Sequence, residues 1–331
     1  MPRDRMRAGP PHVDTHAGSL AQFAVDVQYY LAQRPRQLPS RYFYDELGSA
    51  LFEAICRLPW YPITRAEMRL LGNHGAEVLD LVRPLSTIVE LGSGSGDKLR
   101  MLIDAATPRL SPLEVHLVDV SRGALDLSLR MLASVDAATV VAHQSTYETG
   151  LREATRDPRP LGTTLVLFLG SNIGNFDPPG AAAFLHTVRA NLADGDALLL
   201  GGDLVKPPRD LQLAYDDPLG VTAAFDRNLL VRVNRELGGN FDIDAFAHHA
   251  VWNAAESRVE MHLVARSPQH VRIEAADLDF WMERDEPIWT ESSYKYRPED
   301  IISLLEHAGF RTVAQWIDGA DPFALTLVTA A

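Results

Sequence analysis

Val89-Glu90-Leu91-Gly92-Ser93-Gly94-Ser95-Gly96-Asp97-Lys98 carries an apolar run into three glycines on alternate positions and then into a segment with helical spacing. The order reads as strand, tight loop, helix. Glycine lets the backbone pass close to a bound group, and the first turn of the helix that follows offers N–H groups with no partner inside the helix. A nucleotide-like ligand is the first expectation, with a bare strand-to-helix turn as the alternative. Spacing narrows the ligand. The dinucleotide fingerprint is G-x-G-x-x-G, but here the third glycine comes one residue early, at Gly96, and Asp97 stands in its place.

With Glu90 two places before Gly92, the stretch becomes E-x-G-x-G-x-G, which resembles motif I of class I S-adenosylmethionine-dependent methyltransferases. Charge then bears on what is methylated. The 331-residue chain has 31 Lys and Arg against 44 Asp and Glu, a net charge of −13. It shows no basic cluster beyond a short Arg-containing head, so a nucleic-acid partner is disfavoured and a small-molecule acceptor favoured. The single cysteine, Cys56, excludes an intrachain disulfide framework and points to a reducing compartment, hence the cytoplasm; we read it as a small buried apolar residue. Apolar runs such as Leu165–Leu169 are strand-length and too short to span a bilayer, so no membrane partner is expected. Residues 1–18 lack an apolar signal core and read as a disordered head.

Outward from the glycine loop, strands alternate with helices, the pattern of a parallel sheet covered on both faces. Strands are expected at Thr87–Leu91, Glu114–Val120, Thr139–His143, Thr164–Leu169 and Ala197–Gly201. Leu99, Leu102 and Ile103, and then Phe184, Leu185, Val188 and Leu192, mark buried helical stripes. Upstream, Phe23, Val27 and Leu31 begin a helical region, and a second helix runs from Asp45 to Leu58, with Pro59 and Pro62 as breaks. After Asp203 the alternation stops. We expect one helix over Asp210–Leu237, a turn at Gly238–Asn240, and an antiparallel pair formed by Arg258–Ala265 and His270–Glu274. A helix over Arg297–Ala308 capped by Gly309, then strands at Thr312–Ile317 and Phe323–Val328, complete a seven-stranded sheet.

Several residues stand where chemistry is expected. Asp119 closes the second strand, where a carboxylate reaches ribose hydroxyls or simply caps the next helix. Lys98 reads either as a surface lysine or as a contact to the carboxylate end of a cofactor. Asn175 lies in a second glycine-containing edge, Leu169-Gly170-Ser171-Asn172-Ile173-Gly174-Asn175, and is either a substrate donor and acceptor or a left-handed turn asparagine. Glu291 and Ser293 fall on one face of a strand-like segment, which by itself is read first as a solvated strand face; a carboxylate and a hydroxyl side by side can also address both nitrogens of an imidazole. His248-His249 has no third ligand at a suitable spacing, so we expect a solvated pair and no metal.

Taken together, Phe43-Tyr44-Asp45, Arg57-Leu58-Pro59 with Tyr61 and Thr64-Arg65, the glycine loop, Phe168-Leu169-Gly170-Ser171, Gly202-Asp203-Leu204-Val205-Lys206, Ala214-Tyr215-Asp216-Asp217, Gly220-Val221-Thr222, Val233-Asn234-Arg235-Glu236-Leu237 and Lys295 to Glu299 resemble the histidine N-alpha-methyltransferases of the ergothioneine pathway. The resemblance runs from about residue 20 to the end of the chain. It implies a class I α/β fold, a Rossmann-like seven-stranded sheet carrying a second α+β substrate-binding domain. The discontinuous substrate domain would be residues 19–65 and 206–296, and the S-adenosylmethionine domain 66–205 and 297–331. It further implies three methyl transfers from S-adenosylmethionine to the alpha-amine of L-histidine by a monomer.

By motif, Tyr44, Gly92, Lys98 and Asp119 resemble the family's cofactor contacts. Tyr61, Asn175, Tyr215, Met261, Glu291 and Ser293 resemble its histidine contacts, with Asn175 and Tyr215 on the carboxylate and Met261 an apolar wall. Two positions depart from the family. Thr146-Tyr147 stands where Asp-Phe is usual beside adenine, and Trp60-Tyr61-Pro62 where two tyrosines precede the proline. No general base is singled out; Tyr44 and Tyr61 are the hydrogen-bond partners in view. A methyltransferase of another aromatic amino acid or amine, and a non-catalytic cofactor-binding module, are the competing functions. A dehydrogenase would need the glycine spacing that this chain lacks.

Overall fold

A computed structural model describes residues 20–106, 113–135, 138–156 and 159–331; the expected disordered head lies outside them. In chain order the elements are α1 (Leu20–Leu31), β1 (Arg36–Gln37), α2 (Glu46–Cys56), α3 (Ile63–Leu81), β2 (Leu85–Leu91), α4 (Asp97–Ala106), β3 (Leu113–Asp119), α5 (Arg122–Leu132), β4 (Ala138–Gln144), α6 (Tyr147–Ala154) and β5 (Thr163–Phe168). There follow α7 (Pro178–Ala190), β6 (Ala197–Asp203), α8 (Pro208–Tyr215), α9 (Val221–Leu237), β7 (Phe246–Asn253), β8 (Arg258–Ala265), β9 (Gln269–Ile273), β10 (Leu278–Met282), β11 (Pro287–Tyr294), α10 (Pro298–His307), β12 (Phe310–Ile317) and β13 (Phe323–Ala330).

The seven-stranded sheet has the order β12-β13-β6-β5-β2-β3-β4, and only β13 runs antiparallel to its neighbours. This is the Rossmann-like seven-stranded arrangement that the resemblance implies, and the parallel strands are those the alternation predicts. Strand pleating divides its side chains between two cores. Ile88, Leu165, Leu167 and Leu199 point to one face, against α3, α4 and α5 through Leu70, Leu71, Leu102 and Leu125. Val89, Val166, Phe168 and Leu198 point to the other, against α6, α7 and α10 through Leu151, Phe184, Leu185 and Ile301. Both faces are covered, which explains why the central strands are continuously apolar.

The remaining strands form a four-stranded sheet, β1-β11-β8-β7, and a two-stranded one, β10-β9. Its buried residues, including Val259, Met261, Leu263 and Ile288, join the first core without a break, together with Phe23, Val27 and Leu31 of α1.

Two expectations fail here. The single helix over Asp210–Leu237 is two helices, because Asp217 folds its carboxylate back onto the N–H groups of Leu219, Val221 and Thr222 at 3.0, 3.2 and 2.8 Å. That carboxylate starts α9, and Pro218 cannot donate to a continuing helix. Nor do Arg258–Ala265 and His270–Glu274 pair together. The first lies between β7 and β11, and the second pairs with β10. Sequence adjacency suggested a hairpin, but both edges of Arg258–Ala265 are taken by β7 and β11, which leaves neither for His270–Glu274.

Candidate active site

Gly92, Gly94 and Gly96 all take left-handed φ values, +83°, +52° and +81°. Gly92 needs its lack of a side chain twice over, since a Cβ there would sit 2.9 Å from Asn172 Nδ2 and 3.2 Å from Tyr147 Oη. A Cβ on Gly94 would meet nothing within 4 Å among the described residues, so the loop leaves open space on that side. Asp119, at the end of β3, accepts the N–H of Gly94 at 3.4 Å and of Ser121 at 2.8 Å. Burial raises its pKa against the pull of those N–H groups. The helix cap is Ser121, not Asp119: Ser121 Oγ accepts from Ala124, which leaves Asp119 facing the glycine loop.

Lys98 is not a surface lysine. Its Nζ lies 2.5 Å from Glu67 Oε2, and Glu67, from α3, is fully buried. Burial alone would lower the lysine's pKa, but Glu67 reverses this and raises it, so the ammonium stays charged. The same Glu67 carboxylate accepts the Gly170 N–H at 2.9 Å, tying the two glycine-containing strand ends together. Nearby, Glu90 Oε2 is buried with no hydrogen-bond partner among the described residues. Burial, aided by Glu67 and Asp119 and opposed by Lys98, pushes its pKa to about 8. An orphaned buried carboxyl oxygen, a half-buried cation and open space above Gly94 fit a ligand carrying both a carboxylate and polar N–H groups, as S-adenosylmethionine does.

Thr146 caps α6, its hydroxyl accepting from Thr149 N–H. That cap sets Tyr147 edge-on to Phe168 at 5.4 Å and brings its hydroxyl to the glycine loop.

The second half of the site is a partly open cavity. All six residues expected at the acceptor line it: Tyr61, Asn175, Tyr215, Met261, Glu291 and Ser293, together with Tyr44. Gly92, Lys98, Asp119, Thr146 and Tyr147 do not line it. Asn172 links the two halves, because it lines the cavity and also abuts Gly92.

Each cavity residue is held by something identifiable. Asp45 caps α2 through Gly48 N–H and receives Asn228 and Arg235 of α9, both at 2.7 Å, so the Tyr44 segment is fastened from two sides. Tyr44 packs edge-on to Phe52 and Phe225, and Tyr61 edge-on to Tyr215. Asn175 closes a 3-10 turn spanning Asn172–Asn175; the left-handed residues are Gly170 and Ser171, so the turn-asparagine reading of Asn175 fails. Gly174 lets that turn press on β11, since a Cβ would come within 2.6 Å of the Tyr294 carbonyl. Glu291 and Ser293 share one face of β11, beyond a register shift at Thr290 whose hydroxyl donates to the Met261 carbonyl at 3.0 Å.

Burial raises the Glu291 pKa to about 7, helped by Asp226 and resisted by Lys295 and His248. Burial likewise lifts Tyr44 and Tyr61 well above the usual phenol value, so both hydroxyls stay protonated.

Two supporting features escape a reading of the sequence alone. His248 is not solvated: strand alternation exposes His249 but buries His248. Its Nδ1 lies 2.6 Å from Asp226 and its Nε2 2.8 Å from the Tyr215 carbonyl. Two acceptors require both ring nitrogens to carry protons, in keeping with its raised pKa. The second is Lys295, whose Nζ donates to Tyr215 Oη at 2.7 Å and Ser293 Oγ at 2.8 Å. The Ala214-Tyr215 and Lys295 motifs are visible in the sequence, but their meeting is not. Among the described residues no group of three or more His, Cys, Asp or Glu is arranged to hold a metal, and no helix is long and apolar enough to cross a membrane.

A family model described as a histidine-specific, SAM-dependent methyltransferase matches residues 23–330. The histidine N-alpha-methyltransferase of Mycolicibacterium smegmatis is 43% identical over 303 residues, spanning 91% of this chain and 93% of its own. That of Mycobacterium tuberculosis is 42% identical over 317 residues, spanning 96% and 97%. Ergothioneine biosynthesis protein 1 of Neurospora crassa is 28% identical over 302 residues, which cover 87% of this chain and 32% of that longer protein.

Proposed function

The chain belongs to the histidine-specific, S-adenosylmethionine-dependent methyltransferase family, and on that premise we propose that it methylates the alpha-amine of L-histidine three times, giving the trimethyl betaine hercynine for ergothioneine biosynthesis. The observation that carries the choice of acceptor is the pairing of Glu291 and Ser293 in the cavity that also holds Asn175 and Tyr215. A carboxylate and a hydroxyl address the two ring nitrogens, while the amide and the phenol take the amino-acid carboxylate. The relatives' names support the same acceptor.

When bound, S-adenosylmethionine supplies an electrophilic methyl on a cationic sulfur. Gly92, Lys98, Asp119, Thr146 and Tyr147, with Tyr44 at the junction, are the residues we assign to hold it: Asp119 at the ribose, Lys98 at the carboxylate, and Thr146 and Tyr147 at the adenine. The remaining work is done by the acceptor pocket. Tyr44 and Tyr61, kept neutral by burial, accept the N–H groups of the free amine in the first two transfers and aim its lone pair. The tertiary amine of the third has no N–H and is aimed by the pocket walls. Because neither tyrosine is a phenolate base near neutral pH, the proton shed after each of the first two transfers passes to water through the open side of the cavity. An apolar wall disfavours the ammonium form of the amine, so the nitrogen enters the reaction unprotonated. Positioning of this kind supplies most of the rate. The rings of Tyr44, Phe52, Tyr61, Tyr215 and Phe225 then surround the product ammonium, whose charge their faces stabilise.

On this reading residues 19–65 and 206–296 form the acceptor-binding part and 66–205 with 297–331 the cofactor part. The test is methyl transfer from isotopically labelled S-adenosylmethionine across L-histidine, L-tryptophan and L-tyrosine, with tandem mass spectrometry to locate the label. Label on the histidine alpha-nitrogen supports the proposal; transfer to tryptophan or tyrosine in preference sinks it.

A further inference from the structure

Behind the acceptor cavity a buried polar chain connects the seven-stranded sheet to Tyr215 and Ser293. Asp203 ends β6 with its side chain 1% exposed, and its carboxylate pairs with Lys206 Nζ at 2.6 Å and Lys295 Nζ at 3.1 Å. Lys295 has a fully buried side chain. Its three N–H groups are all committed: one to Asp203, one to Tyr215 Oη and one to Ser293 Oγ. Tyr215 Oη and Ser293 Oγ are themselves 2.8 Å apart.

This arrangement fixes the protons. Lysine ammonium only donates, so both hydroxyl oxygens accept from Lys295. Of the two hydroxyl protons, one is consumed in the Tyr215–Ser293 bond. A single hydroxyl proton is left for the cavity that both residues line.

The arrangement also fixes the charge. Two ammonium groups share one carboxylate, leaving one positive charge in excess at this corner. The other charged groups acting here are His248 and Asp226, which pair at 2.6 Å and cancel, Asp216, which is exposed and screened by solvent, and Glu291 on the cavity wall. If Glu291 is engaged with the acceptor's ring, the excess is answered by an anion at the acceptor's other end.

We propose that Lys295, anchored by Asp203, is the positioning residue that makes this pocket require a carboxylate on its acceptor. It directs the one free hydroxyl proton of the Tyr215–Ser293 pair into the cavity and places an uncancelled positive charge behind it. The inference rests on histidine being the acceptor and adds how a free amino acid is told from the corresponding amine.

The experiment measures kcat and KM for L-histidine and for histamine, which lacks the carboxylate, in the full chain and in Lys295→Met, with S-adenosylmethionine affinity measured by calorimetry. The preference for histidine, as a ratio of kcat/KM values, falls about 10- to 100-fold in Lys295→Met, the scale of a lost hydrogen bond to a charged group. The loss lies in the histidine KM, cofactor affinity is retained, and Lys295→Arg restores part of the preference. An unchanged preference, or an equal loss on both acceptors, overturns the inference. If Lys295→Met does not fold, Lys206→Met carries the test. It leaves Tyr215 and Ser293 untouched and removes the excess charge, so the preference drops several-fold; no drop overturns the inference. A wild-type chain that methylates neither compound overturns the histidine reading itself. Wild-type activity on histidine, with the preference intact in the variants, overturns only the role of Lys295.

Discussion

Glu291 on β11 and Met261 on β8 are direct cross-strand partners, and both side chains line the acceptor cavity. One strand pair therefore presents a polar group and an apolar wall side by side to the cavity. Glu291→Ala should raise the histidine KM by about 10- to 100-fold, the range for losing a charged hydrogen bond, while S-adenosylmethionine affinity stays near that of the parent. Steady-state kinetics and calorimetry check this, and an equal loss of cofactor affinity contradicts the assignment.

The buried carboxyls predict how stability changes with pH in the ligand-free protein. Glu90 and Glu291 are raised from 4.5 to about 8 and about 7. The folded chain thus binds these protons more tightly than the unfolded chain. Their stabilising contribution is complete below the unfolded value and is lost as pH rises through the folded values, on the order of 3 kcal/mol for the buried Glu90 and less for the half-buried Glu291. Glu90→Gln removes this dependence, so its Tm relative to the parent should climb between about pH 5 and about pH 8. Parallel melting curves across that range count against it.

Much of this architecture is legible in the sequence because it repeats locally. Val89-Glu90-Leu91 into Gly92, Gly94 and Gly96 announces strand, loop and helix, and the periodic apolar residues place the covering helices. What does not repeat is not legible. Glu67 meets Lys98, Asp203 meets Lys295 and Asp226 meets His248 only after elements distant in sequence pack together, and a charged residue alone carries no mark of its partner. The lost hairpin has the same cause: β8 takes partners from before and after it, and nothing local says that it prefers β11 over β9. Asp217, by contrast, left a readable sign before Pro218, since an acidic residue ahead of proline and glycine favours a helix start over a continuing helix.

Breaking the pair beneath the cofactor loop should cost both stability and affinity. Glu67→Gln removes the anion from Lys98, whose side chain is half-buried, so the cost falls below the roughly 3 kcal/mol of a fully buried charge left unpaired. Urea denaturation should show the destabilisation, and calorimetry a weaker cofactor. A variant with parental affinity would mean that Lys98 needs no orientation by Glu67.

The glycine loop gives a comparison within itself. Gly92→Ala adds a methyl 2.9 Å from Asn172 Nδ2 at a φ of +83°, and strain at such a site costs about 1–3 kcal/mol. Gly94→Ala, at φ +52°, meets nothing within 4 Å among the described residues. The left-handed φ strains an alanine here too, so some ligand-free stability is lost, but the loss of cofactor affinity should be larger, because the methyl enters the open space where we place the cofactor. Equal losses would place the cofactor elsewhere.

The central claim is the acceptor and the number of methyl groups it takes. Incubating the full chain with L-histidine and excess S-adenosylmethionine and following the products by mass spectrometry tests it most directly. Mono- and dimethylhistidine should appear as transient species and alpha-N-trimethylhistidine as the end product. Accumulation that stops at a single methyl, methylation of a ring nitrogen, or bound cofactor with no transfer to histidine would contradict it.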